Sequence, residues 1–204
     1  MAFCLTILLS VGVFAQTDSD EYNKNEFFVG YSNQQVGNRD RRTFNGFEAS
    51  YVRNVNRYFG VKGDFSAAYQ NANTNFIVSG SSTTLATLNG DFKSSVYNFL
   101  GGIQVKDNAS QARLKPFGHA LVGAAYSRSK TKNVGCVSDC SDLTLATRDF
   151  SSSLTGFAGA FGGGLDVKIN DRIDFRAIQV DYNPVYAGSR LNNNFRFGIG
   201  LVFK

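Results

Sequence analysis

His119 is the only histidine among the 204 residues, so it is the one imidazole that could serve as a general base. A hydrolase built on it would need a serine and a carboxylate at its side. Ser127 and Asp166 are the candidates, but their spacing from His119 predicts no contact. We therefore interpret His119 as a polar side chain that faces the interior of the fold, and we expect neither catalysis nor a cofactor.

A second group of residues carries charge inside segments that alternate between polar and apolar positions. Six charged residues share the polar face of these segments: Glu48, Lys62, Asp64, Asp166, Asp181 and Arg196. Burying a charge is costly unless an opposite charge lies beside it. The pattern predicts a salt-bridged network that fills the interior of the fold. The alternative is a narrow ion path that opens when the pairs rearrange.

Two cysteines, Cys136 and Cys140, form a C-x3-C pair in a polar segment. In an exported protein such a pair favours a disulfide, because the compartment is oxidising. Free thiols are the alternative. A metal site would need more ligands, and the one histidine is far away in sequence.

The elements that position these residues have the pattern of β-strands, because apolar residues recur at every second position. In the last segment Phe195 and Phe197 lie on one face and Arg196 on the other. In the seventh segment, Phe175 and Arg176 do not follow the alternation of apolar and polar residues, which predicts a bulge or a position at the rim of the barrel. Eight segments are long enough to cross a bilayer as tilted strands: about 26–35, 43–53, 58–70, 90–105, 116–129, 152–168, 173–183 and 193–204.

The composition agrees with strands that face lipid on one side. Hydrophobic residues make up 43% of the chain, with 19 Phe and 9 Tyr, yet the mean hydropathy is −0.18. A membrane barrel has such an average, because its apolar side chains face lipid and its polar ones face the lumen. We predict an all-β fold, an eight-stranded antiparallel up-and-down transmembrane β-barrel. A soluble barrel of the lipocalin type, with the two faces exchanged, is the alternative.

The connections between the predicted strands alternate in length. Short ones are predicted at 54–57 and 170–172, and a medium polar one at 106–115. In outer-membrane barrels short turns face the periplasm and long loops face outwards. Long loops are predicted outside the cell at 36–42, 71–89 and 130–151, with a shorter one near 184–192.

The first fifteen residues have the features of a secretory signal. Residues 3–14 are an apolar run that is too short for a membrane helix, and Val13-Phe14-Ala15 precedes a polar segment as a cleavage site would. We divide the chain into a signal peptide, residues 1–15, and an outer-membrane β-barrel domain, residues 16–204. A buried N-terminal strand or helix is the alternative. After residue 15 no stretch of 18 apolar residues predicts a membrane helix.

Four short motifs accompany the eight-strand layout: Tyr97-Asn98-Phe99-Leu100-Gly101-Gly102, Lys115-Pro116-Phe117-Gly118-His119-Ala120, Phe161-Gly162-Gly163-Gly164-Leu165-Asp166 and Gln179-Val180-Asp181-Tyr182. Over nearly the whole mature chain the sequence resembles the small outer-membrane barrels related to the OmpA transmembrane domain and to OmpX. The resemblance implies the outer membrane of a Gram-negative bacterium. It also implies insertion by the barrel-assembly machinery, which reads alternating aromatics such as those ending at Phe203. The chain departs from the family by ending in Lys204.

The formal charge of +5 comes from basic residues that are dispersed along the chain, which does not favour binding to nucleic acid. We expect a monomer whose partners are outer-membrane lipids and the phosphates of lipopolysaccharide. The leading function is a structural or surface-interaction role without catalysis. A narrow porin-like channel is the second, and a lipid-modifying enzyme the third.

Overall fold

The computed structural model describes residues 22–37, 42–79, 85–138 and 150–204, without the side chains of 74–79, 85–88, 133–138 and 150. Eight strands form one closed antiparallel barrel, in which each strand pairs with its neighbours in sequence and β8 pairs with β1. The strands are β1 (Asn25–Val36), β2 (Arg42–Asn54), β3 (Phe59–Ser79), β4 (Leu85–Lys106), β5 (Leu114–Ser138), β6 (Phe150–Lys168), β7 (Ile173–Ala187) and β8 (Arg190–Phe203). The predicted fold class is therefore confirmed.

Two predicted features lie outside these described residues. One is the signal peptide, residues 1–15. The other is the pairing of Cys136 with Cys140, because the side chain of Cys136 and the whole of Cys140 are not described.

The strands on one side of the barrel are longer than the sequence predicted. The segment 71–89, predicted as a loop, contributes instead to β3 and β4, which stay in register from Tyr69↔Ser95 to Ser79↔Leu85. β5 likewise extends to Ser138. The Ser, Thr and Asn residues of this segment indicated a loop, but a hairpin ladder needs only backbone groups, and polar side chains can point into water on both faces.

The alternation along each strand places apolar side chains outside and polar ones inside. Phe157 is 62% exposed and Phe99 57%, whereas Asp166 and Arg196 are 0% exposed. A soluble barrel would have the opposite arrangement, so the lipocalin-type alternative is wrong. Among the described residues there is no helix long and apolar enough to cross a membrane.

A bulge in β7 explains the irregular phase of its sequence. The ladder between β7 and β8 shifts register between Arg176 and Gln179, and that between β6 and β7 shifts next to Asp166. Odd-numbered and even-numbered residues of a regular strand face opposite sides, but an extra residue in one strand lets one of each face the same side. Arg176 and Gln179 therefore both point into the lumen, where each is buried.

Two of the short turns are closed by asparagine side chains. The Oδ1 atom of Asn56 accepts hydrogen bonds from the backbone N–H groups of Tyr58 and Phe59, both at 2.8 Å. In the turn between β6 and β7, the Oδ1 atom of Asn170 accepts hydrogen bonds from the backbone N–H groups of Arg172 and Ile173 in the same manner. Such Asx turns fix the chain reversal locally. Between turns, the Arg57 guanidinium donates two hydrogen bonds to Asp107 and holds the pKa of that carboxyl below its usual range.

The membrane-spanning part of the barrel is a closed hydrogen-bonded sheet without a free strand edge. We therefore expect the folded barrel to resist unfolding by SDS at room temperature. Protein from the outer-membrane fraction should migrate at a different position on an SDS gel when it is unboiled than after boiling. Equal mobility under the two conditions, with the protein recovered in the soluble periplasm, would contradict the membrane barrel.

Candidate functional site in the charged lumen

The lumen contains all six charged residues that the sequence analysis singled out. Glu48, Lys62, Asp64, Asp166, Asp181 and Arg196 are between 0% and 5% exposed. The strand register explains their convergence, because Asp181 of β7 lies directly opposite Arg196 of β8. Four of the six surround Arg196, and Asp166 lies in a second group.

Arg196 is the hub of the first group, which we call the Arg196 cluster. Its Nη1 donates to Asp64 Oδ1 at 2.7 Å, and its Nη2 and Nε donate to Asp181 Oδ2 at 2.7 and 2.9 Å. Glu48 Oε2 lies 3.5 Å from Nε. Gln179 donates to both Glu48 Oε1 and Asp181 Oδ2 at 2.8 Å. One guanidinium thus compensates carboxylates from three different strands, as its fork of five donors allows.

His119 bridges two members of this cluster. Its Nε2 lies 2.8 Å from Asp181 Oδ1, and its Nδ1 lies 3.3 Å from Lys62 Nζ. An ammonium group can only donate, so Nδ1 accepts and the ring proton is on Nε2. Asp181 is therefore the carboxylate partner of His119, rather than Asp166. Ser127 donates to Leu154 O instead, eight residues and roughly 25 Å of strand away from His119.

The second group surrounds Arg176, and we call it the Arg176 cluster. Arg176 Nε and Nη2 donate to the two oxygens of Asp166 at 2.8 and 3.2 Å. Lys106 Nζ contacts Asp166 Oδ2 at 2.9 Å and both carboxylate oxygens of Glu26 at 3.0 Å. The four charges alternate in sign, so each is next to an opposite one.

Aromatic rings enclose the guanidinium of Arg176. Its Cζ lies 4.4 Å from the centroid of the Phe28 ring and 4.0 Å from that of Phe117. Two glycines leave room for these rings: a Cβ at Gly200 would lie 2.9 Å from Phe28 Cε2, and one at Gly164 would lie 2.9 Å from Phe117 Cε1. The flat guanidinium is suited to stacking between two rings, which an ammonium is not.

A third group lies at the periplasmic end, where Lys204 Nζ donates to Asp174 Oδ1 at 2.6 Å and Lys115 Nζ lies 3.8 Å from Asp174 Oδ2. With it, the charges that are buried among the described residues balance, since six carboxylates face six cations. The carboxylates are Glu26, Glu48, Asp64, Asp166, Asp174 and Asp181, and the cations are Lys62, Lys106, Lys115, Arg176, Arg196 and Lys204.

Sequence reasoning missed five of the buried charges and Lys204. Lys106 and Lys115 belong to the inward parity of β4 and β5, but they fell in a predicted connection. Extending each strand by one inward position would have found them. The inward orientation of Arg176 was not predicted, because the bulge changes which residues of β7 face the lumen, and the sequence shows only an irregular alternation there.

Two clusters of apolar side chains also lie inside the barrel. One cluster combines Leu100 and Leu121 with Ala125, Ala158 and Ala160. The other, at the extracellular end, contains Phe44, Ala68 and Val96. Leu121, which interrupted the polar face in the sequence, is 0% exposed and packs within the first cluster. Small residues opposite leucines let the two walls approach each other.

Comparison with known proteins gives a family and a fold. The family model described as "Outer membrane protein beta-barrel domain" matches residues 1–203. Among curated proteins, none matches the sequence.

The solved structures that share the fold include Ail and Neisserial surface protein A. Ail of Yersinia pestis is 19% identical, with 88% of this chain and 97% of that chain covered and a TM-score of 0.54. Neisserial surface protein A is 12% identical, with 90% and 99% covered and a TM-score of 0.53.

Replacing the hub of the Arg196 cluster should destabilise the barrel strongly. In Arg196→Met the carboxylates of Asp64 and Asp181 stay buried without their cation, which typically costs about 3–5 kcal/mol. The free energy of unfolding can be measured by urea titration in lipid vesicles, with the gel shift as the readout. Arg57→Met, which breaks a half-exposed turn pair, is the control and should cost at most about 1 kcal/mol. Equal losses in both variants would contradict the hub.

Arg176→Lys keeps the charge and tests the stacking geometry. An ammonium cannot bind both oxygens of Asp166 in parallel or stack flat between Phe28 and Phe117. We expect a loss of about 2 kcal/mol in the same titration. Arg172→Lys, at an exposed position in the turn between β6 and β7, should change nothing measurable. An Arg176→Lys variant as stable as the parent protein would show that charge alone is sufficient.

Proposed function

The chain belongs to the outer membrane protein beta-barrel domain family, and from that premise we propose a closed, non-catalytic barrel that acts through its outer surface. Its place is the bacterial outer membrane. The proposed role is structural, or one of contact with molecules outside the cell through the extracellular part of the barrel.

Closure of the lumen is the observation that carries this proposal. At the level of the Arg196 cluster, Glu48, Gln179, Asp181 and Arg196 are all 0% exposed. An aqueous pore through this level would bring water into contact with the side chains that line it. An eight-stranded barrel is just narrow enough for side chains to fill its interior. The paired charges therefore act as a plug.

The surroundings of His119 support the absence of catalysis. The His119 side chain is 0% exposed, one ring nitrogen contacts Asp181 and the other faces Lys62. A general base must reach a proton on a substrate. Here both ring nitrogens already have partners inside the plug.

The unequal strand lengths support a role outside the cell. β4 has 22 residues and β5 has 25, whereas β1 has 12. About ten residues cross a bilayer, so β3 to β6 project beyond it by roughly 25–40 Å at 3.4 Å per residue and a tilt of about 40°. β2 pairs with β3 only up to Tyr69, so the upper part of β3 pairs with β4 alone. We call this projecting sheet the extracellular wall.

One structural relative has a name that fits such a role. Ail is an attachment invasion locus protein, and its structure was solved with the heparin analogue sucrose octasulfate. For this chain we propose, likewise, that the extracellular wall makes the contacts. The second candidate, a narrow channel, would require the Arg196 cluster to open.

Conductance in planar bilayers separates the two candidates. The parent protein should give no steady openings, because the plug leaves no water path. The triple variant Glu48→Ala/Asp181→Ala/Arg196→Ala removes the centre of the Arg196 cluster, but the Arg176 cluster and the apolar cluster around Leu121 still fill the lumen, so the variant should not by itself give a continuous water path. The gel shift of the reconstituted protein checks separately that the protein is folded in the bilayer lipid. Steady, uniform openings of the parent protein, lost or altered in the variant, would overturn the closed barrel in favour of the channel.

A further inference from the structure

Three cations converge on the lipid-facing side of the extracellular wall. Lys93 of β4 and Arg128 and Lys130 of β5 line a cleft of about 280 Å³, together with Tyr69 of β3 and Tyr97 of β4. We call it the cationic cleft. All five side chains belong to the outward parity of their strands, so the cleft opens away from the lumen and from the plug.

The tyrosines fix the height of the cationic cleft in the membrane. Tyr69, Tyr97 and Tyr126 form a continuous row, with ring centroids 6.0 and 6.2 Å apart. Tyrosine concentrates where hydrocarbon meets headgroups. From Val105 to Tyr97, β4 presents only an apolar or glycine outward face, over roughly 20 Å of height. Lys93, Arg128 and Lys130 lie just beyond the row, at the level of the outer-leaflet headgroups.

The register brings like charges together within the cationic cleft. Lys93 lies directly opposite Lys130, and Arg128 lies opposite Ser95. Like charges in directly opposed positions are destabilising. Within the described part of the chain, none of these three cations makes an ion pair. Asp91 is the nearest acid along the same face, and it lies in register with Lys132. The cleft therefore has an excess of positive charge that an external anion would relieve.

We propose that the cationic cleft binds the phosphate groups of lipid A, the membrane anchor of lipopolysaccharide, in the outer leaflet. Phosphate oxygens accept charge-assisted hydrogen bonds from guanidinium and ammonium groups. The tyrosine row beneath them packs against acyl chains while its hydroxyl groups lie at the headgroups. Free phosphate has the same charge but no acyl chains, so the apolar surface next to the cleft favours the lipid. The site does not depend on whether the lumen conducts.

The test is binding of purified lipid A to the full-length barrel in detergent, compared with lipid A from which the phosphates have been removed. The variant Lys93→Gln/Arg128→Gln/Lys130→Gln removes the three charges and keeps polar side chains at the three positions. Each cation near an anionic lipid surface contributes about fivefold. We therefore expect the triple variant to bind intact lipid A roughly 100-fold more weakly. The parent protein should bind dephosphorylated lipid A about as weakly.

The matched control is Lys24→Gln/Arg113→Gln/Arg172→Gln, which removes three exposed cations from the periplasmic end. It should bind intact lipid A as the parent protein does, and the gel shift checks that both variants fold. Unchanged binding in the cleft variant, or an equal loss in the control, would overturn the site. Inorganic phosphate that competes as well as lipid A at equal concentration would overturn the lipid as its source.

Discussion

The cost of burying charge in a space that is too narrow for water governs the rest of this structure. The barrel faces lipid on the outside, so its polar side chains must point into the lumen. There they lose hydration, and each charge requires an opposite one within contact distance. Arg196 satisfies this requirement for carboxylates on three strands, and Arg176 satisfies it between two rings and Asp166. The balance of six carboxylates and six cations is the result.

Backbone features that would otherwise be irregular serve this requirement. The bulge in β7 turns Arg176 and Gln179 to the same side, which brings one residue to each of the two clusters. Gly164 and Gly200 leave space for the rings that enclose Arg176. The bulge therefore lets Gln179 connect the Arg176 cluster with the Arg196 cluster, and the two glycines leave the space that the rings around Arg176 need.

Because the lumen is closed, the outer surfaces are the parts of the barrel that can contact other molecules. Buried ion pairs link strands that are not neighbours in the barrel, such as β3 and β8 through Asp64 and Arg196. The extracellular wall is then a stable extension of four strands rather than a set of separate loops. The tyrosine row and the cationic cleft lie at its base, where the wall leaves the hydrocarbon. The same sheet thus presents one surface to lipid headgroups and another to the exterior.

Alternation cannot say which face of a strand meets lipid, so the structure decided the membrane-facing side. The sequence alone predicted the number of strands and their parity, because a period of two over about ten residues has few alternative solutions. It also placed Glu48, Asp64, Asp181 and Arg196 on one face. The tertiary structure alone decided their partners, because residues such as Asp64 and Arg196 are separated by 132 positions and meet only when the barrel closes. It also decided the parity of Arg176 and the true length of β3 to β5, since bulges and backbone ladders depend on the neighbouring strand.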